Sequence, residues 1–374
     1  MKIAQVAPLY ESVPPRLYGG TERVVSYLTE EFVRQGHAVT LFASGDSATS
    51  AELRPVCSRA LRLQGKQVID PLAHHIRMIE MVAREAREFD VVHFHIDYLH
   101  FPTTRRQNIT ALTTLHGRLD IPDVLPLYRE FRDMNLVSIS DAQRAPLPWA
   151  NWIATVHHGL PEDLYRPQYA PGKYLAFLGR VSPEKRVDRA IEIARRAGMP
   201  LKIAAKVDSN DQEYFDAHIR RRLDSPLIEF VGEIGETDKS DFLGHAHALL
   251  FPIDWPEPFG LVMIEAMACG TPVIAYSMGS VPEIVEDGVT GYLVHSILEA
   301  VAAVHRVSLL DRKLCRQTFI ERFSAQRMAS DYLDVYRLLA ADLRTEATSR
   351  TAQAALARRQ GSEKPLTHAG EGYS

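Results

Sequence analysis

The stretch Phe251–Ala275, FPIDWPEPFGLVMIEAMACGTPVIA, decides how the rest of the chain is read. The apolar run Ala248–Pro252 leads into it with strand length, and prolines 252, 256 and 258 then mark a loop. Leu261–Cys269 is apolar enough for a buried helix, Gly270 stops it, and Pro272–Ala275 predicts a second strand. Strand, helix and strand in so short a span form a crossover unit of a parallel sheet. Glu257 stands before the helix and Glu265 eight residues later. At roughly 1.5 Å per residue, Glu265 sits on the order of 7 Å up the helix, so the two carboxylates address different parts of one extended ligand. Unpaired amides of Phe259, Gly260 and Leu261, at the positive end of the helix dipole, suit a phosphate. A carboxylate above such a phosphate suits vicinal sugar hydroxyls. The plain alternative makes Glu257 a helix-dipole residue and Glu265 a solvated face. Against it, the apolar neighbours of Glu265 bury most of that helix, and a buried carboxylate needs a partner.

The same alternation extends in both directions. Strands are predicted at Lys2–Ala7, His37–Phe42, the VVHFHI run from Val91, Thr110–Leu115 and Leu136–Ile139, with helices through Val24–Phe32 and Leu72–Ala86. A second series follows the polar stretch LPEDLYRPQYAPG. Its strands lie at Tyr174–Leu178, Leu201–Ala205 and Ile228–Val231, and its helices at Val187–Ala197 and Lys239–Ala246. Two such series predict an α/β chain of two doubly wound domains, with the linker between Leu160 and Gly172 and ligands at the carboxyl ends of the strands. The last 30 residues are small, polar and punctuated by Pro and Gly, which predicts a disordered tail at 345–374.

The chain has 374 residues, too many for one ordinary core, and a hydrophobic share of 46% with 24% charged residues describes a globular protein. Lys plus Arg number 43 against 47 Asp plus Glu, which argues against a nucleic-acid binder. The three cysteines, Cys57, Cys269 and Cys315, lack paired spacing and read as reduced cytosolic thiols. The N-terminus has no signal-peptide core, and no apolar stretch reaches the roughly 18–20 residues of a spanning helix. A cytoplasmic location is expected, with room for peripheral association at the inner face of a membrane.

Three further segments carry chemistry. In FLGRVSPEK, Arg180 and Lys185 follow a strand end, where two cations clamp a diphosphate; equally, they pair with Glu184 and Asp188 as surface charges. In YGGTERVV, Gly19 and Gly20 permit close approach of backbone to a phosphate or sugar, or form a plain capping turn. No GxGxxG is present, which counts against a nicotinamide or flavin enzyme. His93 and His95 share one face of a strand, which invites a metal reading, but no local signature such as HExxH accompanies them. His116, before Gly117 at the mouth of a βα loop, is the histidine best placed for a substrate. The acidic run DSNDQE from Asp208 lacks the glycine of a calcium loop at its sixth position.

Together YGGTERVV, TTLHGR, FLGRVSPEK, EPFGLVMIEAMACGTPVIA and GSVPEIVEDGVTGYLV resemble the retaining nucleotide-sugar glycosyltransferases of glycosyltransferase family 4, with the GT-B fold, over roughly Met1 to Ala341. The resemblance implies two Rossmann-like domains facing a central cleft: 1–165 on the acceptor side and 172–323 binding the nucleotide sugar. It also implies a helix at 324–341 that crosses back to the first domain. Arg180 and Lys185 would bind the donor diphosphate, helped by the amides of Gly260 and Leu261 and by the Gly19–Gly20 loop. Glu265 would hold the ribose, Ile234 the base, Glu257 the transferred sugar, and His116 the sugar near its reactive carbon. The family's common Asn-Gly is replaced by His158-Gly159, which puts any acceptor contact of that Asn in doubt.

The implied reaction moves a hexosyl group from a nucleoside diphosphate sugar to an acceptor hydroxyl by same-face attack. No cofactor is expected, and two cations with a helix N-terminus make a divalent metal unnecessary. Rival readings are an epimerase or phosphorylase of the same fold, or a non-catalytic sugar-nucleotide-binding scaffold. The base, sugar and acceptor are not named by the sequence. Loops Leu9–Tyr18 and His95–Gln107 are expected to form the acceptor pocket, where Arg105 and Arg106 either meet an acidic acceptor or stay solvated.

Overall fold

The computed structural model of the chain describes residues 1–16 and 19–341. Seven parallel strands form the first sheet: β1 Lys2–Val6, β2 Ala38–Ser44, β3 Glu52–Cys57, β4 Val91–Phe94, β5 Ala111–Thr114, β6 Leu136–Ser138 and β7 Trp152–Thr155. Six parallel strands form the second: β8 Tyr174–Arg180, β9 Leu201–Lys206, β10 Ile228–Gly232, β11 Ala246–Phe251, β12 Val273–Tyr276 and β13 Gly291–Val294. The strand orders are β3-β2-β1-β4-β5-β6-β7 and β10-β9-β8-β11-β12-β13. Each is doubly wound, and each reverses direction beside its own first strand, between β1 and β4 and between β8 and β11. The two-sheet α/β architecture expected from the alternation is therefore present.

Central strands follow the expected physics. β1, β4, β5, β11 and β12 are buried almost throughout because helices cover both faces, with Gln5, His93, Thr113 and Thr114 buried among their apolar residues. Edges were harder to foresee. β3, ELRPVC, carries Glu52, Arg54 and Pro55 and is fully buried only at Val56, as suits an edge strand, so it shows neither alternation nor an apolar run. The helix expected from Lys239 starts earlier, at Glu236, after Gly235. Helices Val124–Glu130, Ile297–Arg306 and Arg312–Phe323 were not foreseen. The expected tail at 345–374 lies outside the described residues. No helix among the described residues is long and apolar enough to cross a membrane.

After Phe323 the chain returns to the first domain. Helix 325–341 buries Met328, Ala329, Tyr332, Leu333 and Tyr336 against Ile3, Val24, Leu28, Phe32 and Val91. Outgoing and returning segments meet where they cross. Leu160 N donates to Phe323 O at 2.9 Å, and Ala325 N to Leu160 O at 2.8 Å. Gly159 lies so close to Ser324 that any side chain would collide with the Ser324 carbonyl. In His158-Gly159, then, the glycine is required by space. Gly159→Ala should cost about 1–3 kcal/mol, the range for forced overpacking, read as a lower denaturation midpoint in urea with an unchanged slope; an unchanged midpoint would show that the crossing relaxes freely.

Candidate active site

Both switch points face one cleft, and the loops there carry the residues singled out above. Gly19 and Gly20 follow β1, His95 follows β4, His116 follows β5, Arg180 ends β8 and Glu257 follows β11. Three adjoining spaces open between them, of about 600, 310 and 210 Å³. Gly19, Gly20, His116, Glu257 and Gly260 line the largest; Arg180, Lys185, Glu257 and Gly260 the second; Gly19, Gly20, Ile234 and Glu265 the third. Leu261 lines all three.

That hub is the start of helix Leu261–Ala268. Gly260, which precedes it, has φ 84°, a left-handed conformation, and a Cβ there would lie 2.7 Å from Met263 Cε. Glycine is thus required by backbone and by space, and it turns the free amides of the first helical turn toward the cleft. The preceding loop is pinned from both domains. Ser140 Oγ donates to Pro258 O at 2.7 Å, Ser280 Oγ to Phe259 O at 2.9 Å, and Ser280 N to Glu257 O at 2.9 Å. Gly279 permits this approach, since a side chain there would strike the Glu257 backbone.

Glu257 is buried and forms an ion pair with Lys185, while Trp255 Nε1 donates to the same carboxylate oxygen at 3.0 Å. The Lys185 ammonium also lies 5.2 Å from the centroid of the Trp255 ring. Arg180 takes the plainer course that its sequence allowed, pairing with Glu184 at 3.2 Å and with Asp211 at 3.4 Å. At 35% side-chain exposure these pairs are weak and easily exchanged for a ligand. Asp188, the other expected surface partner, pairs with Arg186.

Glu265 is 3% exposed, which rules out a solvated face. Its carboxylate receives Lys239 Nζ at 2.7 Å and lies 3.6 Å from Arg23. Burial pushes its pKa up, but Lys239 and then Arg23 more than offset this and hold it below the usual carboxylate value. Arg23 belongs to the first domain and also pairs with Glu236 at 3.0 Å, so the ion cluster straddles the cleft. Arg23 and Lys239 were not anticipated. Arg23 stood in YGGTERVV as a charge beside Val24 and Val25 on an otherwise buried helix face, a usable signal; Lys239 sits in a polar helix that gives none.

His116 lines the largest space, bonded through Nε2 to His95 Nδ1 at 2.9 Å and stacked against His158 with centroids 5.2 Å apart. Burial pushes the pKa of His116 down to about 3. His93 and His95 use both ring nitrogens in hydrogen bonds to Tyr336, Thr114, His116 and Gln5. The expected acceptor loop His95–Gln107 is only partly a loop. Phe101–Gln107 is helical, and the largest space reaches from His95 only to Leu99. Arg105 packs over Phe131 and pairs with Glu130 and Asp133.

Residues 18–191 match the family model described as Glycosyltransferase Family 4, and residues 166–321 the one described as Glycosyl transferases group 1. Among solved structures, a glycosyltransferase involved in avilamycin A biosynthesis is 26% identical, with TM-score 0.69 over 91% of this chain and 98% of that one. The chain has the GT-B fold. Sucrose-phosphate synthase from Thermosynechococcus elongatus has the same GT-B fold at 19% identity, TM-score 0.69, covering 91% of this chain and all of that one (100%). The D-inositol 3-phosphate glycosyltransferase of Mycolicibacterium smegmatis is 29% identical over 236 residues, 56% of this chain and 50% of that protein. Its counterpart in Mycobacterium bovis is 32% identical over 157 residues, 38% and 32% respectively. This GT-B chain thus spans about half the length of the first curated relative it matches and a third of the second.

Its buried histidines make a pH prediction. Burial holds His93, His95, His100 and His158 well below their ordinary value, and His116 at about 3. Unfolded, all would take up protons near pH 6.5. Their contribution is therefore complete above that pH and is lost as pH falls, at about 1.4 kcal/mol per unit for each group. Calorimetry should find a Tm that is level above pH 7 and falls steeply from 6.5 to 5; a Tm that holds to pH 5 would contradict neutral buried rings.

Proposed function

We propose that this chain is a retaining hexosyltransferase of glycosyltransferase family 4 that moves a hexosyl group from a nucleoside diphosphate sugar to an acceptor hydroxyl. The observation that carries the reading is the meeting of three differently equipped spaces at the amide end of one helix. In this account the diphosphate lies against the Gly260–Leu261 amides, with Arg180 and Lys185 as counter-charges and Gly19 and Gly20 closing over it. The ribose hydroxyls reach Glu265, and the base lies by Ile234. The hexosyl group enters the largest space beside His116 and Glu257.

Chemistry follows from charge. As the bond from the anomeric carbon to the diphosphate breaks, negative charge grows on the phosphate oxygen and is stabilised by two cations and the helix dipole. These groups neutralise it without a divalent ion. The acceptor oxygen bonds to the anomeric carbon on the face the diphosphate leaves, and its proton passes to the departing phosphate oxygen, which retains configuration. Glu257, tied to Lys185 and Trp255, orients and polarises the sugar. A carboxylate so engaged is a poor nucleophile, which favours same-face attack over a covalent intermediate.

A thermal-shift panel of UDP, GDP, ADP and TDP tests the reading. One nucleotide should stabilise the protein by about 2.7 kcal/mol at 100 times its Kd, in the presence of EDTA. Arg180→Ala and Glu265→Gln should weaken that shift at least tenfold in apparent affinity, while Glu257→Ala and His116→Ala should keep it and lower turnover. Full affinity in the Arg180 and Glu265 variants would overturn the assignment.

A further inference from the structure

His116 is one end of a buried hydrogen-bonded chain that runs through the first sheet to the returning C-terminal helix. His116 Nε2 meets His95 Nδ1 at 2.9 Å, and His95 Nε2 meets Gln5 Oε1 at 2.8 Å. Gln5 Nε2 donates to the Tyr336 hydroxyl at 3.1 Å, which meets His93 Nδ1 at 2.7 Å. His93 Nε2 meets Thr114 Oγ1 at 2.7 Å, and Thr114 Oγ1 meets the Tyr332 hydroxyl at 2.7 Å. Gln5, His93, His95, Thr114, Tyr332 and Tyr336 are all buried.

Such a chain has one sense. Burial keeps the three imidazoles neutral, so each ring has one donor and one acceptor nitrogen. Gln5 sets the direction, because its two ends are chemically different. Its carbonyl accepts from His95 Nε2–H, which leaves His95 Nδ1 a lone pair that accepts from His116 Nε2–H. Its amide donates to Tyr336, whose O–H donates to His93 Nδ1; His93 Nε2–H then donates to Thr114, and Thr114 to Tyr332. His116 is left with a bare lone pair at Nδ1, an atom that is buried and has no partner among the described residues. The opposite sense requires Gln5 turned over, with its amide toward His95 and its carbonyl toward Tyr336, and would place an N–H at His116 Nδ1.

We propose that Gln5, held by Tyr336 of the C-terminal helix, is a positioning residue that fixes His116 in its Nε2–H tautomer, so that Nδ1 accepts a hydrogen bond from a hydroxyl of the bound sugar. The proposal rests on the reading of His116 as a sugar contact. It excludes a phosphate or carboxylate oxygen as the partner of Nδ1, since two lone pairs repel. It also gives the crossing helix a part in the chemistry, because removing Tyr336's oxygen frees the Gln5 amide to turn over.

The test is ¹⁵N spectroscopy of the full chain labelled in its histidines, with the His116 signals identified by their absence in His116→Asn. The wild type should show His116 protonated at Nε2 and unprotonated at Nδ1. Tyr336→Phe, which removes one atom, and Gln5→Leu should both give mixed tautomers at His116. Turnover should drop about tenfold, the worth of one well-placed hydrogen bond, with nucleotide affinity unchanged. A proton on Nδ1 in the wild type, or a His116 spectrum unmoved in Tyr336→Phe, overturns the proposal. A merely structural role for Tyr336 would lower Tm and leave the tautomer alone, which also counts against it. The spectra decide the relay; the absence of transfer or hydrolysis of any nucleotide sugar by the wild type would instead remove the transferase reading beneath it.

Discussion

Everything in the cleft is arranged about the free amides at the start of helix Leu261–Ala268. A helix N-terminus is useful only if nothing in the protein satisfies or covers it, and Gly260 meets both conditions, with a left-handed turn and no side chain. The loop before it is fastened to the second domain by Ser280 and to the first by Ser140. Displacing either domain therefore disturbs the amides, the Glu257 carboxylate and the Glu265 cluster together. Arg23 reinforces this coupling, since its guanidinium reaches from the first domain to Glu236 and Glu265 in the second.

The charges show how a slightly acidic chain can line a cleft with cations. Net charge is −4, yet the cleft holds Arg180, Lys185, Arg23 and Lys239. Each is paired with a carboxylate in this structure, so none stands as an unpaired charge. The pairs differ in character. Those of Arg180 are half-exposed and exchangeable, whereas Lys239 and Glu265 are both buried, and opening that pair would strand a charge. Glu265 is thus ionised and fixed in advance, while Arg180 can turn toward a ligand.

Legibility in the sequence followed the range of the interaction. Core strands, the helix at Leu261 and the two-domain count were readable because burial on both faces leaves apolar runs, and glycines and prolines mark their ends. β3 was hidden because an edge strand with Glu52, Arg54 and Pro55 has the composition of a loop. The loop motifs were readable as local spacing, so the positions of Glu257, Gly260, Arg180 and Lys185 near one another could be foreseen. The partners of Glu265 could not, because Lys239 and Arg23 come from other elements. Least visible was the histidine chain, in which Gln5 and Tyr336 stand at opposite ends of the sequence. His93 and His95 announced themselves as a pair on one face, but the same alternation is written by a metal site and by a polar relay.

The central claim is that the departing diphosphate lies on the Gly260–Leu261 amides between the two domains. A crystal structure of the protein with the nucleoside diphosphate that stabilises it tests this most directly. The account predicts the terminal phosphate within hydrogen-bond reach of the Leu261 amide, with Arg180 and Lys185 turned onto the diphosphate and the ribose against Glu265. A nucleotide bound away from that helix, or bound there with Arg180 still on Glu184 and Asp211, would contradict it.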